Sequence, residues 1–349
     1  MPTKPLRVGV VGVGHVGSRH AQIYASMRGV RLAAVCDVDA KRATHWARTL
    51  RCRASTDFRE LVGEVDAASL AVPSSLHAAI GLPLLQAGIH LLIEKPIATT
   101  LPDADALIRT AEHRSCVVQI GHVERFNAAI RAAVRYLTHP RFIEVHRLSP
   151  YPFRPSTGSG LGGVPSKIEG RGTDVSVVLD VMIHDLDLIL LLVRARVQRI
   201  EAVGVPVLST SEDIANARVR FASGCIANLT ASRISDEPTR RIRVFQEDSY
   251  LSIDYKAQTV ALAHKHDRTI RRIQLPVNRR APLQDELASF VRSVITNRTP
   301  AVSGADGRAA LALALRIEQT MRRGRRSRQS TVSANRLGGS ATIGGGHSR

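Results

Sequence analysis

The sequence predicts an α/β chain: a parallel sheet covered by helices on both faces, then an α/β domain built on a large, mostly antiparallel open sheet. Three observations predict it. Short apolar runs alternate with amphipathic segments over the first 120 residues, the rhythm of β–α units. The run Gly12-Val13-Gly14-His15-Val16-Gly17 lies between the first apolar run and the first amphipathic segment. From about residue 142 strand-like runs follow one another with few helices between them, as in an antiparallel sheet.

In chain order, residues 7–11 read as a strand, 15–27 as a helix, 31–36 as a strand and 40–50 as a helix. Strand 67–72, helix 76–87, strand 90–94, helix 103–113 and strand 117–121 continue the pairing. Candidate strands then fall at 142–148, 199–205, 215–221, 225–232, 241–246, 250–255, 259–264 and 269–275. A long helix at 174–193 interrupts them, and helices at 283–296 and 305–322 close the domain. Gly, Ser and Pro dominate 154–172, which reads as a loop. The division expected is 1–122, 123–322, and a basic tail over 323–349 that lacks the apolar residues to order itself.

Composition narrows the function classes. A chain of 349 residues holds two ordinary domains. The formal charge is +19, but seven arginines and no acid lie from Arg322 onward, leaving +12 spread through the rest. Such a tail reads as solvated, or as a polyanion contact without sequence specificity. With aromatics at 4%, stacking on single-stranded nucleic acid is not expected, and a specific nucleic-acid partner is not either. Cys36, Cys52, Cys116 and Cys225 form no C-x-x-C pair, which points to reduced, buried thiols in a cytoplasmic protein. The apolar run 8–11 is too short for a signal peptide. The most apolar stretch, 175–193, carries Asp180, His184, Asp185 and Asp187, so no membrane span is expected.

The glycine run has a strand before it and a helix after it, the context that gives G-x-G-x-x-G meaning. Gly12 permits the tight turn, Gly14 lets the backbone approach a pyrophosphate, and Gly17 lets helix pack closely on strand. His15 and Val16 open the helix, whose N-terminus faces the phosphates. The pattern reads as the dinucleotide site of a Rossmann fold, with an ordinary glycine-rich strand-to-helix turn as the alternative. Asp37, twenty residues after Gly17 at the end of the second strand, can accept from ribose hydroxyls and repel a 2′-phosphate, favouring NAD over NADP. Arg42 nearby softens that preference, and a helix cap is the other reading of Asp37.

Glu94-Lys95-Pro96 ends a strand at the carboxyl edge of the sheet, where such folds bind ligands. A lysine beside a nicotinamide can hold a substrate hydroxyl and stabilise the developing alkoxide, and Pro96 fixes the chain direction that presents it. Glu94 and Lys95 join the expected cofactor contacts. Asp180, His184 and Asp187 fall on one stripe of an otherwise apolar helix, which suits the wall of a cleft. His184 is in the range to take a proton from an alcohol, with Asp180 orienting its ring. A satisfied buried network and a divalent-metal site are the alternatives, and hydride transfer itself needs no metal. Arg125 and Asn127, in Gly121-His122-Val123-Glu124-Arg125-Phe126-Asn127, are expected at the substrate, with helix capping and interdomain packing as the other reading.

Together the glycine run, Glu94-Lys95-Pro96, and Asp180 with His184 resemble the glucose–fructose oxidoreductase/inositol dehydrogenase/rhizopine catabolism family over about residues 6–320. The resemblance implies a Rossmann domain plus an α/β domain whose open sheet makes homodimers or homotetramers. It implies Lys95 and His184 as the catalytic pair, Asp180 supporting His184, and NAD as cofactor. Within the family, residues 121–127 and 173–188 look like the dehydrogenases that oxidise the 3-hydroxyl of UDP-N-acetylglucosamine to a ketone on the way to lipid A. The small-molecule substrate implied is therefore a nucleotide sugar. Residues 155–172 look longer than that pattern and suggest an insertion over the substrate. A dehydrogenase of a free polyol and a catalytically silent NAD-binding sensor are the alternatives.

Overall fold

A computed structural model describes residues 4–150 and 175–338, with side chains to residue 325. The expected loop 154–172 and its insertion lie outside the described residues.

The first sheet is made of β1 (Leu6–Val11), β2 (Val30–Cys36), β3 (Arg53–Ser55), β4 (Ala67–Leu70), β5 (His90–Glu94) and β6 (Val118–Gly121). All pairings are parallel, in the order β3-β2-β1-β4-β5-β6. Its helices are α1 (His15–Ser26), α2 (Ala40–Leu50), α3 (His77–Gln86) and α4 (Leu101–His113). The order reverses between β1 and β4, and the crevice outside the carboxyl ends of those strands is where such sheets bind ligands. Central strands covered on both faces must be apolar throughout, and β4 is buried at every position. The three-residue β3 was not legible, because Arg53-Ala54-Ser55 has neither length nor alternation.

After α5 (Ala128–Val134) comes the second sheet: β7 (Phe142–Leu148), β8 (Val197–Val205), β9 (Ile214–Phe221), β10 (Ile226–Ser232), β11 (Thr239–Phe245), β12 (Ser249–Asp254), β13 (Thr259–His266) and β14 (Thr269–Gln274). Its order is β14-β13-β12-β11-β7-β10-β9-β8. Only β7 and β10 run parallel; the other pairings are antiparallel. β9 alternates strictly between buried and exposed, so one face meets the core and the other is open. The core face packs on α6 (Ile183–Val193) and α8 (Gly304–Gly338), and α7 (Pro282–Thr296) returns to α1.

Three expectations are corrected. The helix expected over 174–193 is a π-helical turn, Val178–Met182, running into α6. The helix expected to stop at 322 continues through Gly338, so residues 323–338 are helical, not tail; the run has no proline to end it and is rich in residues that tolerate helix. Of the four free cysteines, Cys36 and Cys225 are buried but Cys52 and Cys116 only half-buried. Among the described residues no helix is long and apolar enough to cross a membrane.

Candidate active site

The glycine loop joins β1 to α1. Gly12 has φ +83°, and a Cβ there would lie 2.6 Å from the Ala71 carbonyl oxygen; only glycine makes this turn at no cost. A Cβ on Gly17 would come within 1.7 Å of the Gly12 carbonyl oxygen, so its absence lets α1 sit against the loop. At Gly14 a Cβ would meet nothing within 4 Å. That open space stands at the start of α1, where Gly14 caps the helix with no side-chain bond to its first N–H groups. Open backbone plus a positive helix end is a cradle for a dinucleotide pyrophosphate, so the residues present fit NAD.

Asp37 is buried and closes the same loop from β2. It accepts from Val13 N at 2.9 Å and Asp39 N at 3.0 Å, with Arg42 Nη1 3.2 Å from both carboxylate oxygens. Asp39, not Asp37, caps α2. Arg42 thus covers the carboxylate expected to meet the ribose.

Lys95 directly follows β5 and is joined to Pro96 by a cis peptide. His77, which sequence reasoning missed, is buried between the Pro96 carbonyl (2.9 Å) and the Val72 carbonyl (3.1 Å), tying this turn to the end of β4. Lys95 Nζ donates to the Asp180 carbonyl at 2.6 Å and to Asp180 Oδ1 at 3.0 Å. Asp180 is therefore the partner of Lys95, and the expectation that it orients His184 is corrected. Both residues still line the cleft, but the Asp180 carboxylate is taken by Lys95 from the other sheet.

His184 enters the same cleft from α6, its Nδ1 buried and without a hydrogen-bond partner among the described residues. Burial first, then the charges of Lys95 and Arg147, hold its imidazole well below the ordinary histidine range, so it is neutral near pH 7. The His122 ring stands edge-on to it, 6.1 Å between centroids. Lys95, Asp180 and His184 line a cleft of about 530 Å³ with His15, Val16 and Glu94. The two sheets bring together what the sequence held 89 positions apart.

Asp187 does not line this cleft. It is buried and receives Arg125 through two hydrogen bonds, 2.7 and 2.6 Å, while Arg125 also reaches Asp306 at 3.2 Å. Asn127 caps α5 through Ala129 N and donates to the Tyr255 carbonyl at 2.7 Å. Arg125 and Asn127, expected at the substrate, are corrected to interdomain ties, since Arg125 Nε and Nη2 and both polar atoms of the Asn127 amide are held by protein partners. Arg147 on β7 was missed. It is buried, bonded to Asp185 (2.9 and 3.1 Å) and Glu124 (3.2 Å), with the Tyr255 hydroxyl donating to Asp185 at 2.6 Å.

Comparison with known proteins gives the family and the fold. The family model of the Gfo/Idh/MocA oxidoreductases, NAD-binding Rossmann fold, matches residues 6–122, and that of the Gfo/Idh/MocA C-terminal domain matches 137–252. The chain is 38% identical over 323 residues to UDP-N-acetylglucosamine 3-dehydrogenase of Acidithiobacillus ferrooxidans, covering 89% of this chain and 96% of that protein. A crystal form of that enzyme superposes with a TM-score of 0.81 over 90% of this chain and 97% of the other. Myo-inositol 2-dehydrogenase of Thermotoga maritima is 26% identical over 330 residues, 90% and 96% of the two chains. Levoglucosan dehydrogenase in complex with NADH, 18% identical, shares the fold at a TM-score of 0.79 over 91% and 97% of the two chains.

Proposed function

Because the chain belongs to the Gfo/Idh/MocA family of NAD-binding oxidoreductases, we propose that this dehydrogenase oxidises the 3-hydroxyl of a UDP-N-acetylhexosamine, UDP-N-acetylglucosamine foremost, to the 3-keto sugar. One observation carries the reading: an amine from the first sheet and a neutral imidazole from α6 share one cleft beside an open glycine loop. The nucleotide-sugar identity is supported by the 38% identity to an enzyme named for that substrate.

NAD, when bound, supplies the acceptor for the hydride that leaves the carbinol carbon. The chain does the rest. An ammonium carries three donors; Lys95 directs two contacts at Asp180, leaving a third for the substrate hydroxyl as it becomes an alkoxide. His184, neutral by burial, accepts the hydroxyl proton. Asp180 fixes the Lys95 side chain and balances its charge. The Gly12–Gly17 loop, with His15 and Val16, holds the pyrophosphate, and Asp37 and Glu94 complete the cofactor contacts. Asp187 has no part in this scheme.

The division at 122 and 322 belongs to the same proposal, as does a homodimer or homotetramer formed through the open face of the second sheet. Analytical ultracentrifugation reads that directly, and a monomer at micromolar concentration removes it. Through the same resemblance the 3-keto product feeds an amine-forming step of lipid A assembly, and the protein works in the cytoplasm.

The test is a panel of UDP-N-acetylglucosamine, other UDP-sugars and myo-inositol, each with NAD and followed by NADH absorbance. UDP-N-acetylglucosamine should give the highest kcat/KM, with the ketone at C3. Lys95→Met and His184→Asn should each lower kcat by about 10²–10⁴-fold while NAD binding stays intact. Turnover of myo-inositol alone moves the substrate to the polyols. Near-normal activity in both variants removes the assigned pair.

A further inference from the structure

Behind the cleft lies a polar cluster of which the reaction scheme uses Glu94 alone. Glu286 on α7 is fully buried, and neither of its carboxyl oxygens has a hydrogen-bond partner among the described residues. His20 on α1, also fully buried, brings Nε2 to 3.3 Å from Glu94 Oε1. Ligand-type atoms of His20, Glu94 and Glu286 lie within 4.8 Å of one another. Glu94 is the residue before Lys95, and its side chain is 13% exposed, toward the cleft.

The cluster is built, not incidental. Gly121 pairs with Glu94 across β5 and β6, and a Cβ on it would come 3.1 Å from Glu94 Cδ and Oε1. The glycine therefore gives the Glu94 carboxylate its room. Gln119 on β6 holds α7 from beneath, its Nε2 donating to the Glu286 backbone carbonyl at 3.1 Å. Tyr24 on α1 faces the same interior with its hydroxyl on Ser69 Oγ, 2.9 Å away, and Glu124 adds a further negative charge nearby.

Two carboxylates this close and this dry cannot both be ionised without a large cost. A buried carboxyl with no partner is also expensive as an anion and cheap as an acid. We propose that Glu286 is held as a neutral carboxylic acid whose O–H donates to the Glu94 carboxylate, so that one proton shared with Glu94, beside His20, positions the strand end that presents Lys95. A charge-assisted O–H···O bond is among the strong ones, and it joins α7 to the residue adjacent to the catalytic amine. Burial, then the charges of Glu94 and Glu124, push the Glu286 carboxyl well above the ordinary range, in accord with this geometry. Glu286 is thus a positioning residue, acting on Lys95 through Glu94.

The sign of the pH dependence follows. A carboxyl raised by folding contributes stability fully present below its unfolded value, near 4.5, and lost as pH rises through the folded one. Glu286→Gln keeps a neutral donor and removes that loss.

The experiment uses the full chain. Infrared absorption at pH 7.5 should contain a protonated-carboxyl C=O band that Glu286→Gln abolishes. Glu286→Gln should melt higher than the unsubstituted protein at pH 8.5 by about one to two degrees, with the gap closing at pH 5. Glu286→Ala should lower kcat by about tenfold or more, and Glu286→Gln should restore most of it. Metal analysis of the untreated protein should give far less than one equivalent of any divalent ion. A band insensitive to Glu286→Gln, a glutamine variant that melts lower at pH 8.5, or a stoichiometric metal each overturns the proposal. The infrared and melting readouts need no substrate, so their failure is distinct from a failure of the sugar assignment, on which only the kcat comparison rests.

Discussion

His184 has the surroundings of a proton acceptor kept neutral by its neighbours. Burial leads, and the positive charges of Lys95 and Arg147 add to it, so the ring loses its proton at lower pH than a free imidazole with its value of 6.5. The acid limb of kcat/KM therefore lies below pH 6.5. Lys95→Met removes the nearest of those charges, and the limb in its residual activity moves to higher pH. A pH–rate series on both proteins measures the displacement; a limb that stays put, or moves down, means that another group carries the proton. At this scale the glycines, Asp37, Lys95 and His184 were legible because strand ends and short spacings announce them. Arg147, His77, His20 and Glu286 were not, because what makes each of them matter is a partner distant in sequence: Arg147 meets Asp185, and Glu286 meets Glu94. Arg125 and Asn127 misled for the same reason, since polar residues after a strand look available until Asp187 and Tyr255 are seen to take them.

Among the elements, β1, the glycine loop and α1 form the unit on which the cofactor site depends. Gly17→Ala sets a methyl group 1.7 Å from the Gly12 carbonyl oxygen, a contact that neither backbone can absorb locally. The variant should lose NAD binding by at least about tenfold, or fail to fold, which NAD titration with circular dichroism separates. Wild-type affinity in a folded Gly17→Ala protein would contradict the packing role given to this glycine. The alternation of β and α segments was readable because periods of 2 and 3.6 differ plainly over a dozen residues. The π-helical turn at Val178–Met182 was not, since one extra residue per turn leaves an apolar segment looking like any other helix. Nor was the partner of Asp180, since Lys95 lies 85 positions away in the sequence.

Across the whole molecule, the cleft exists because two sheets are locked in one orientation. Arg147 on β7 grips Asp185, in α6's first turn, and Glu124, just after the end of β6. Arg125 ties the same segment to α6 and α8 through Asp187 and Asp306. Removing one partner from such a buried network strands the opposite charges, at about 3–5 kcal/mol. Arg147→Met should accordingly lower the melting temperature by about 4–7 degrees. Calorimetry decides it, and an unchanged transition would mean that the network is dispensable to the joint.

The account stands most directly on where the sugar hydroxyl lies. A crystal structure of His184→Asn with NAD and UDP-N-acetylglucosamine measures it. The predicted result is sugar C3 about 3–3.5 Å from the nicotinamide C4, with its hydroxyl within hydrogen-bond reach of Lys95 and facing residue 184. A sugar bound with that hydroxyl turned away from both positions would contradict the assignment.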